Sequence, residues 1–262
     1  MIYTCFEMIR DCRENRAGGW SYFIGNYAPV VRKIIGHYRP ECTSALKGVL
    51  AAIRSPEPNW FASLEPGPER PFVAELRRKA LDELDCIAPP AELDLTIELE
   101  TLAEALAPLT ILEKQAVWLE TMRYSSSQTG PLLRTSEATI ANIREKAAER
   151  IRAQGAGWRA TLLAGNGRRL GRQAAEGTAQ CLAGKAFLDL LDGRTTWYGR
   201  EEMERHVAGC WHCIDHFCRM VETSELLRGI RPLSEEEVAE LGRSPGVAAD
   251  QRPGWKRWFG AG

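Results

Sequence analysis

The apolar positions of this chain recur at the three- and four-residue spacing of amphipathic helices, and the pattern predicts an all-α protein. Over residues 1–54, Phe6, Ile9 and Cys12 form one stripe, and Tyr22, Phe23, Tyr27, Val30, Val31, Ile34 and Ile35 form the next, which gives two or three helices. Ser55-Pro56-Glu57-Pro58-Asn59 and Glu65-Pro66-Gly67-Pro68 break the rhythm on either side of Trp60-Phe61 and predict an irregular connection. A further helix, from Pro71 to about Asp85, places Phe72, Leu76, Ala80, Leu81 and Leu84 inward and turns Arg77-Arg78-Lys79 to solvent.

Ala88-Pro89-Pro90 closes this first helical domain, residues 1–90. In the second, residues 91–153, Leu95, Leu99, Leu102, Leu106 and Leu109 keep helical spacing until Pro108 interrupts it, and a strong helix follows from Glu113 to about Met122. Ser125-Ser126-Ser127 and Gly130-Pro131 are breakers; Thr135-Ser136 then caps a helix from Glu137 to about Ala153, with Ile140, Ile143, Ala147 and Ile151 inward. The glycines of Gln154-Gly155-Ala156-Gly157-Trp158-Arg159 and Ala164-Gly165-Asn166-Gly167-Arg168-Arg169 predict a flexible, basic linker over residues 154–174. A small module, residues 175–231, is followed over 232–262 by an acidic helix from Glu235 to about Leu241 and a tail containing Trp255-Lys256-Arg257-Trp258-Phe259.

The small module carries the sharpest chemistry: Cys181, His206, Cys210 and Cys213, spaced Cys-x24-His-x3-Cys-x2-Cys. Thiolates and imidazole are the donors of a tetrahedral zinc site, and four protein ligands close the shell, leaving no open position for a catalytic water. His206 lies one helical turn before Cys210, so both can face one ion; Cys181 must come from a separate helix, and the intervening amphipathic run Phe187 to Leu191 stops at Gly193, which lets the chain reverse and bring the halves together. His212, His216 and Cys218 are neighbours that compete for the shell, and Cys218 is also placed to act as a resolving thiol if the zinc thiolates are oxidised.

A long apolar helix, a short turn and a capped second helix in the second domain give a helix-turn-helix pattern, whose second helix enters the major groove of DNA. Ser136, Thr139 and Asn142 are the candidates for base edges, and Arg144, Lys146 and Arg150 for phosphates; Glu137, Glu145 and Glu149 oppose them on the same helix.

Composition narrows the function classes. A formal net charge of −1 over 262 residues excludes a general nucleic-acid coat, so any DNA contact is local. No run of 18 apolar residues occurs and the N-terminal segment lacks a signal-peptide pattern, so a cytoplasmic protein without a membrane partner is expected. Eight cysteines fit a metal site plus scattered reduced thiols better than a disulfide framework. The chain contains no Gly-rich phosphate loop, nucleophile elbow or His-Glu-x-x-His pair, and the expectation is a non-enzymatic protein.

Two resemblances extend the picture. Cys181-Leu182-Ala183, Phe187 to Gly193 and Glu202 to Cys213 resemble the zinc-binding anti-sigma domain over roughly residues 175–230, which implies a small helical bundle that clamps a sigma factor. Leu106 to Arg152, notably Leu109, Ala116-Val117-Trp118-Leu119, Leu132-Leu133, Thr139-Ile140 and Lys146-Ala147, resembles region 4 of extracytoplasmic-function sigma factors, which reads the upstream promoter element. Residues 16–86, with Tyr27 to Val31 and Phe72 to Leu76, more faintly resemble region 2, which binds core RNA polymerase and melts promoter DNA. The chain departs from those patterns at Thr129-Gly130-Pro131, at Ala141, and at Ala45 and Gly48. The resemblances together imply a sigma-factor-like transcription regulator held by its own zinc-binding anti-sigma domain; the alternative is an interaction protein that keeps the sigma scaffold without promoter activity.

Overall fold

The computed structural model describes residues 3–242 apart from 94, 156–159, 176, 178, 179 and 192. The sequence readings at Trp158-Arg159, Asp192 and the aromatic tail lie outside the described residues. Those described form helices and two 3-10 turns, with no strand among them, as the periodicity requires. In chain order the helices are α1 (Cys5–Arg13), α2 (Ala17–Tyr38), α3 (Leu46–Ile53), α4 (Glu69–Ile87), α5 (Leu99–Leu106), α6 (Ile111–Thr121) and α7 (Ser126–Leu132). They continue as α8 (Glu137–Ala153), α9 (Ala160–Ala174), α10 (Gly184–Leu191), α11 (Trp197–Val207), α12 (Trp211–Leu227) and α13 (Glu235–Gly242). The chain divides into two compact units: Met1–Pro90 with Thr223–Gly262, and Ala91–Glu222, so the division falls within α12.

The first unit is held by aromatic packing. Phe23 and Phe61 meet edge to face at 5.4 Å and Tyr27 and Phe72 at 4.9 Å, geometries that suit the ring quadrupoles. α1 begins with a capping box in which Thr4 and Glu7 satisfy each other's backbone N–H groups. It meets α2 at Gly19, where a Cβ would come within 2.8 Å of Asp11. Two sequence readings change here. Phe6 is 51% exposed, and the inward stripe of α1 is Cys5, Met8, Ile9 and Cys12. Arg77 is buried on the face of α4 that carries Val73 and Ala80, one turn away on either side; its guanidinium lies 4.7 Å over the Tyr38 ring and donates to the Tyr38 hydroxyl. Residues 223–242 complete this unit, with Leu226 and Leu241 in its core and the Leu233 N–H donating to the Gly25 carbonyl at 2.8 Å. The stretch 223–231, read from sequence as part of the small module, therefore belongs to the first unit's core.

The second unit joins the helices α5 to α8 to the Cys/His module through one core containing Trp118, Leu119, Ile140, Ile151, Leu163, Leu170, Phe187, Val207 and Ile214. Thr110 with Glu113 and Ser125 with Gln128 form capping boxes that open α6 and α7, and the Ser136 hydroxyl accepts the Thr139 N–H to open α8 at the expected residue. α7 and α8 approach so closely that a Cβ on Gly130 would lie 2.9 Å from the Thr135 carbonyl oxygen, which explains a glycine inside that short helix.

The flexible-linker reading of residues 154–174 is corrected over its larger part, because Ala160–Ala174 is the helix α9. Leu162, Leu163, Leu170 and Ala174 are buried on one face of it. Its glycines permit contact: a Cβ on Gly167 would fall 1.8 Å from the Thr121 carbonyl oxygen of α6. Asn166, fully buried, accepts from the Ile97 N–H at 3.2 Å and donates to the carbonyls of Leu95 and Leu162. A buried amide with its groups satisfied fixes one packing, where a flexible tether would leave it in water.

Candidate metal centre

Local structure brings the four sequence-predicted ligands together. Cys181 stands just ahead of α10, whose end is turned by Gly193 at φ +71° with the Arg194 N–H returning to the Asp189 carbonyl at 2.7 Å. Thr196 caps α11 by accepting the Gly199 N–H, and α11 delivers His206 in its last turn. Ala208 and Gly209 close that helix, after which Cys210 and Cys213 occupy the entry and first turn of α12, with the Ile214 N–H bonded to the Cys210 carbonyl at 3.1 Å.

The ligand atoms of Cys181, His206, Cys210 and Cys213 all lie within 4.8 Å of one another. Cys181 Sγ and Cys210 Sγ are 3.6 Å apart; two thiolates bound to one tetrahedral ion at about 2.3 Å each would stand about 3.8 Å apart. Cys213 is fully buried and its three companions are half-buried. His206 Nε2 is buried with no hydrogen-bond partner, a costly position for an imidazole nitrogen unless it serves as a ligand. Burial pushes the Cys213 thiol up to about 12, with the Cys210 and Cys181 sulfurs adding to the rise. A cation among these sulfurs reverses that balance, and the α12 N-terminus adds a favourable dipole for thiolates. The donor set therefore fits a metal ion.

The competing residues are otherwise engaged. His212 Nδ1 lies 3.1 Å from the Ala174 carbonyl oxygen, and the His216 ring packs 5.3 Å from that of Phe187, with burial lowering its pKa. Cys218 is fully buried and burial raises its thiol well above the ordinary range, while Sγ faces the Gln115 carbonyl at 3.9 Å. A thiol held protonated away from solvent is a poor resolving nucleophile, so the redox role read for Cys218 from its proximity in sequence is not supported by its setting.

The surroundings tie the cluster to α6. Lys114 Nζ donates to the Ala208 carbonyl at 2.7 Å, between the ligand positions His206 and Cys210. Trp118 Nε1 donates to Asp215 Oδ1 at 2.9 Å, Arg219 Nε holds the other oxygen of that carboxylate at 2.6 Å, and the Trp118 and Trp211 rings lie 5.4 Å apart. Sequence reasoning missed Lys114 and Asp215, because neither spacing nor residue type marks a contact across about a hundred residues.

The candidate DNA residues separate into two groups. Ser136, Thr139, Asn142, Lys146 and Arg150 are exposed on α8, with the Ser136 and Thr139 hydroxyls 2.8 Å apart in the cap. Arg144 is buried, and its assignment to phosphate is corrected: the guanidinium donates to the Ala116 carbonyl at 3.1 Å and to Thr129 Oγ1 at 2.9 Å, and faces Glu120 at 3.5 Å. It fastens α8 to α6 and α7. No protein-family model, curated protein or solved structure matches the chain. Among the described residues no helix is long and apolar enough to cross a membrane.

Proposed function

We propose that the chain is a non-enzymatic transcription regulator: a sigma-factor-like protein whose promoter recognition is controlled by a fused, zinc-binding anti-sigma-like module. The observation that carries this reading is the convergence of Cys181, His206, Cys210 and Cys213 in a unit whose core also contains the helix-turn-helix pair α7 and α8. Three thiolates and an imidazole in a four-donor, partly buried shell suit zinc, which has no geometric demand beyond the tetrahedron and no redox chemistry of its own. With four protein donors the ion would be structural, holding α10, α11 and α12 together. The exposed Ser136, Thr139, Asn142, Lys146 and Arg150 support a nucleic-acid-facing α8, while core RNA polymerase and promoter DNA as partners follow from the resemblance, and a cytoplasmic location is the setting proposed for such a regulator.

One observation favours the alternative of an interaction protein without promoter activity. With Arg144 withdrawn into the core, the exposed charges of α8 are Lys146, Arg150 and Arg152 against Glu137, Glu145 and Glu149, which leaves no net positive field for a phosphate backbone. Copurification of core RNA polymerase with the full chain, followed by promoter-DNA binding across a salt series, decides between them. Polymerase capture with salt-dependent binding that weakens in Lys146→Ala/Arg150→Ala supports the regulator; polymerase capture without DNA binding supports the alternative, and neither event would overturn both.

A further inference from the structure

Lys114 and Trp118 are not ligands, yet each makes a polar contact with the segment that carries the ligands. Lys114 reaches the carbonyl of Ala208, the residue that closes α11 two positions after His206 and two before Cys210. An ammonium at a helix C-terminus is favourable there because the terminal carbonyls carry partial negative charge. Burial lowers the Lys114 pKa, and the Ala208 carbonyl at 2.7 Å gives the half-desolvated amine a hydrogen-bond acceptor. Trp118, fully buried at the centre of the core, donates to Asp215 two residues after Cys213, and Asp215 is held in turn by Arg219. The two side chains project one turn apart from α6, so a single helix face meets the chain on both sides of the Cys210–Cys213 step. The same helix supplies the Ala116 carbonyl that anchors Arg144 of α8.

We propose that Lys114 and Trp118 are positioning residues that couple occupancy of the metal centre to the arrangement of the helix-turn-helix pair, with α6 as the shared element. The proposal rests on the reading of the Cys3His cluster as a metal site and adds the route by which that site acts on α8. Binding the ion fixes the turn between α11 and α12, fixing the turn orders the Ala208 carbonyl and the Asp215 carboxylate, and those acceptors hold α6 in the position that Arg144 needs. Because linkage is reciprocal, a change on α6 that weakens these contacts must weaken metal binding by the same factor by which metal strengthens them.

The test is a chelator-competition titration with zinc on the full chain, comparing the parent with Lys114→Met, Lys114→Arg and Trp118→Phe. Lys114→Met keeps the buried stem and removes the donor, and its affinity should fall about tenfold, within the usual range of site-to-site coupling. Lys114→Arg restores a donor to Ala208 and should return most of that loss, a recovery that simple loss of packing does not produce. Trp118→Phe keeps an aromatic six-membered ring but removes the N–H together with the fused five-membered ring at a fully buried position, and should weaken binding by at least a similar factor. Equal affinity in the parent and Lys114→Met, or an equal loss in Lys114→Met and Lys114→Arg, overturns the coupling. A parent chain that binds no zinc overturns the metal reading itself, so the two failures are distinguishable.

Discussion

The two units solve the same problem, burying the inner faces of helices, by different means. In the first unit Phe23, Tyr27, Phe61 and Phe72 pack as rings against β-branched and aliphatic neighbours, and the apolar burial itself carries the fold. In the second, apolar burial is interleaved with polar fastenings: Asn166 between α9 and the segment before α5, Arg144 among α6, α7 and α8, Trp118 on Asp215, and the Cys/His cluster at the end of the same core. Buried polar groups cost free energy when one partner is removed, so the second unit gains a unique packing and in exchange becomes brittle to single changes, above all at the Cys/His cluster that could hold a metal ion.

The largest expected effect follows from the ligands. Structural zinc contributes an apparent ~10 to 16 kcal/mol in small domains, whereas a whole domain has a net stability of about 5–15 kcal/mol. Cys213→Ser in the full chain should therefore abolish the cooperative thermal transition of the second unit while the first unit keeps its own, a separation that calorimetry resolves. A single unchanged transition would dissolve the contrast. Next, Phe61→Ala empties a ring position in the first unit's core and should cost about 3 to 5 kcal/mol there, read as a shift of the denaturant midpoint. Zinc content should be unaffected, and a joint loss of zinc would show that the units are not independent in this respect.

Arg144→Met should cost the second unit about 3 kcal/mol, because the Glu120 carboxylate is left buried without its partner. Lys146→Ala, on the exposed side of the same helix, should change stability by less than about 0.5 kcal/mol. Equal effects of the two substitutions would return Arg144 to the surface role that sequence alone assigns to it. The smallest effect belongs to Asp11 of the first unit. Burial raises the Asp11 pKa, but hydrogen bonds from Tyr3 and Arg10, with the Arg10 and Arg16 charges, outweigh it and hold the carboxyl below its ordinary value. A depressed folded pKa gives stability that is present above the unfolded value, near ~3.9, and is lost as pH falls through the folded one. Asp11→Asn should remove that acid-side loss, a change of less than about 1 kcal/mol because the Arg10 and Arg16 partners are themselves exposed, visible as a flatter acid limb in denaturation at low pH.

Much of this architecture was legible in periodicity and caps. The start of α8 at Ser136, the stop at Gly193 and the Cys/His spacing each rest on a local rule, and local rules survive folding. The misreadings have a shared physical source, which is that residue type was allowed to outweigh position. Arg144 lies four residues after Ile140 and three before Ala147, on the inward face of α8; Arg77 lies four after Val73 and three before Ala80, on the inward face of α4. As arginines they read from sequence as surface residues, Arg77 facing solvent and Arg144 facing a DNA phosphate. Gly165 and Gly167 signalled a linker because glycine costs a helix about 1 kcal/mol relative to alanine, yet Leu162, Leu163, Leu170 and Ala174 kept the helical stride and the close approach to Thr121 required a residue without a Cβ. The contacts of Lys114 and Trp118 had no local signature, since they depend on a partner far along the chain.

Hydrogen exchange on the full chain, with and without a zinc chelator, tests most directly whether the metal centre and the helix-turn-helix pair are one cooperative structure. The account predicts that chelation accelerates the slow amides of α6 and α8 together with those of α10, α11 and the Trp211–Glu222 part of α12, while the amides of α2 and α4 stay protected. Acceleration confined to α10, α11 and that part of α12, with α6 and α8 as slow as before, would contradict it.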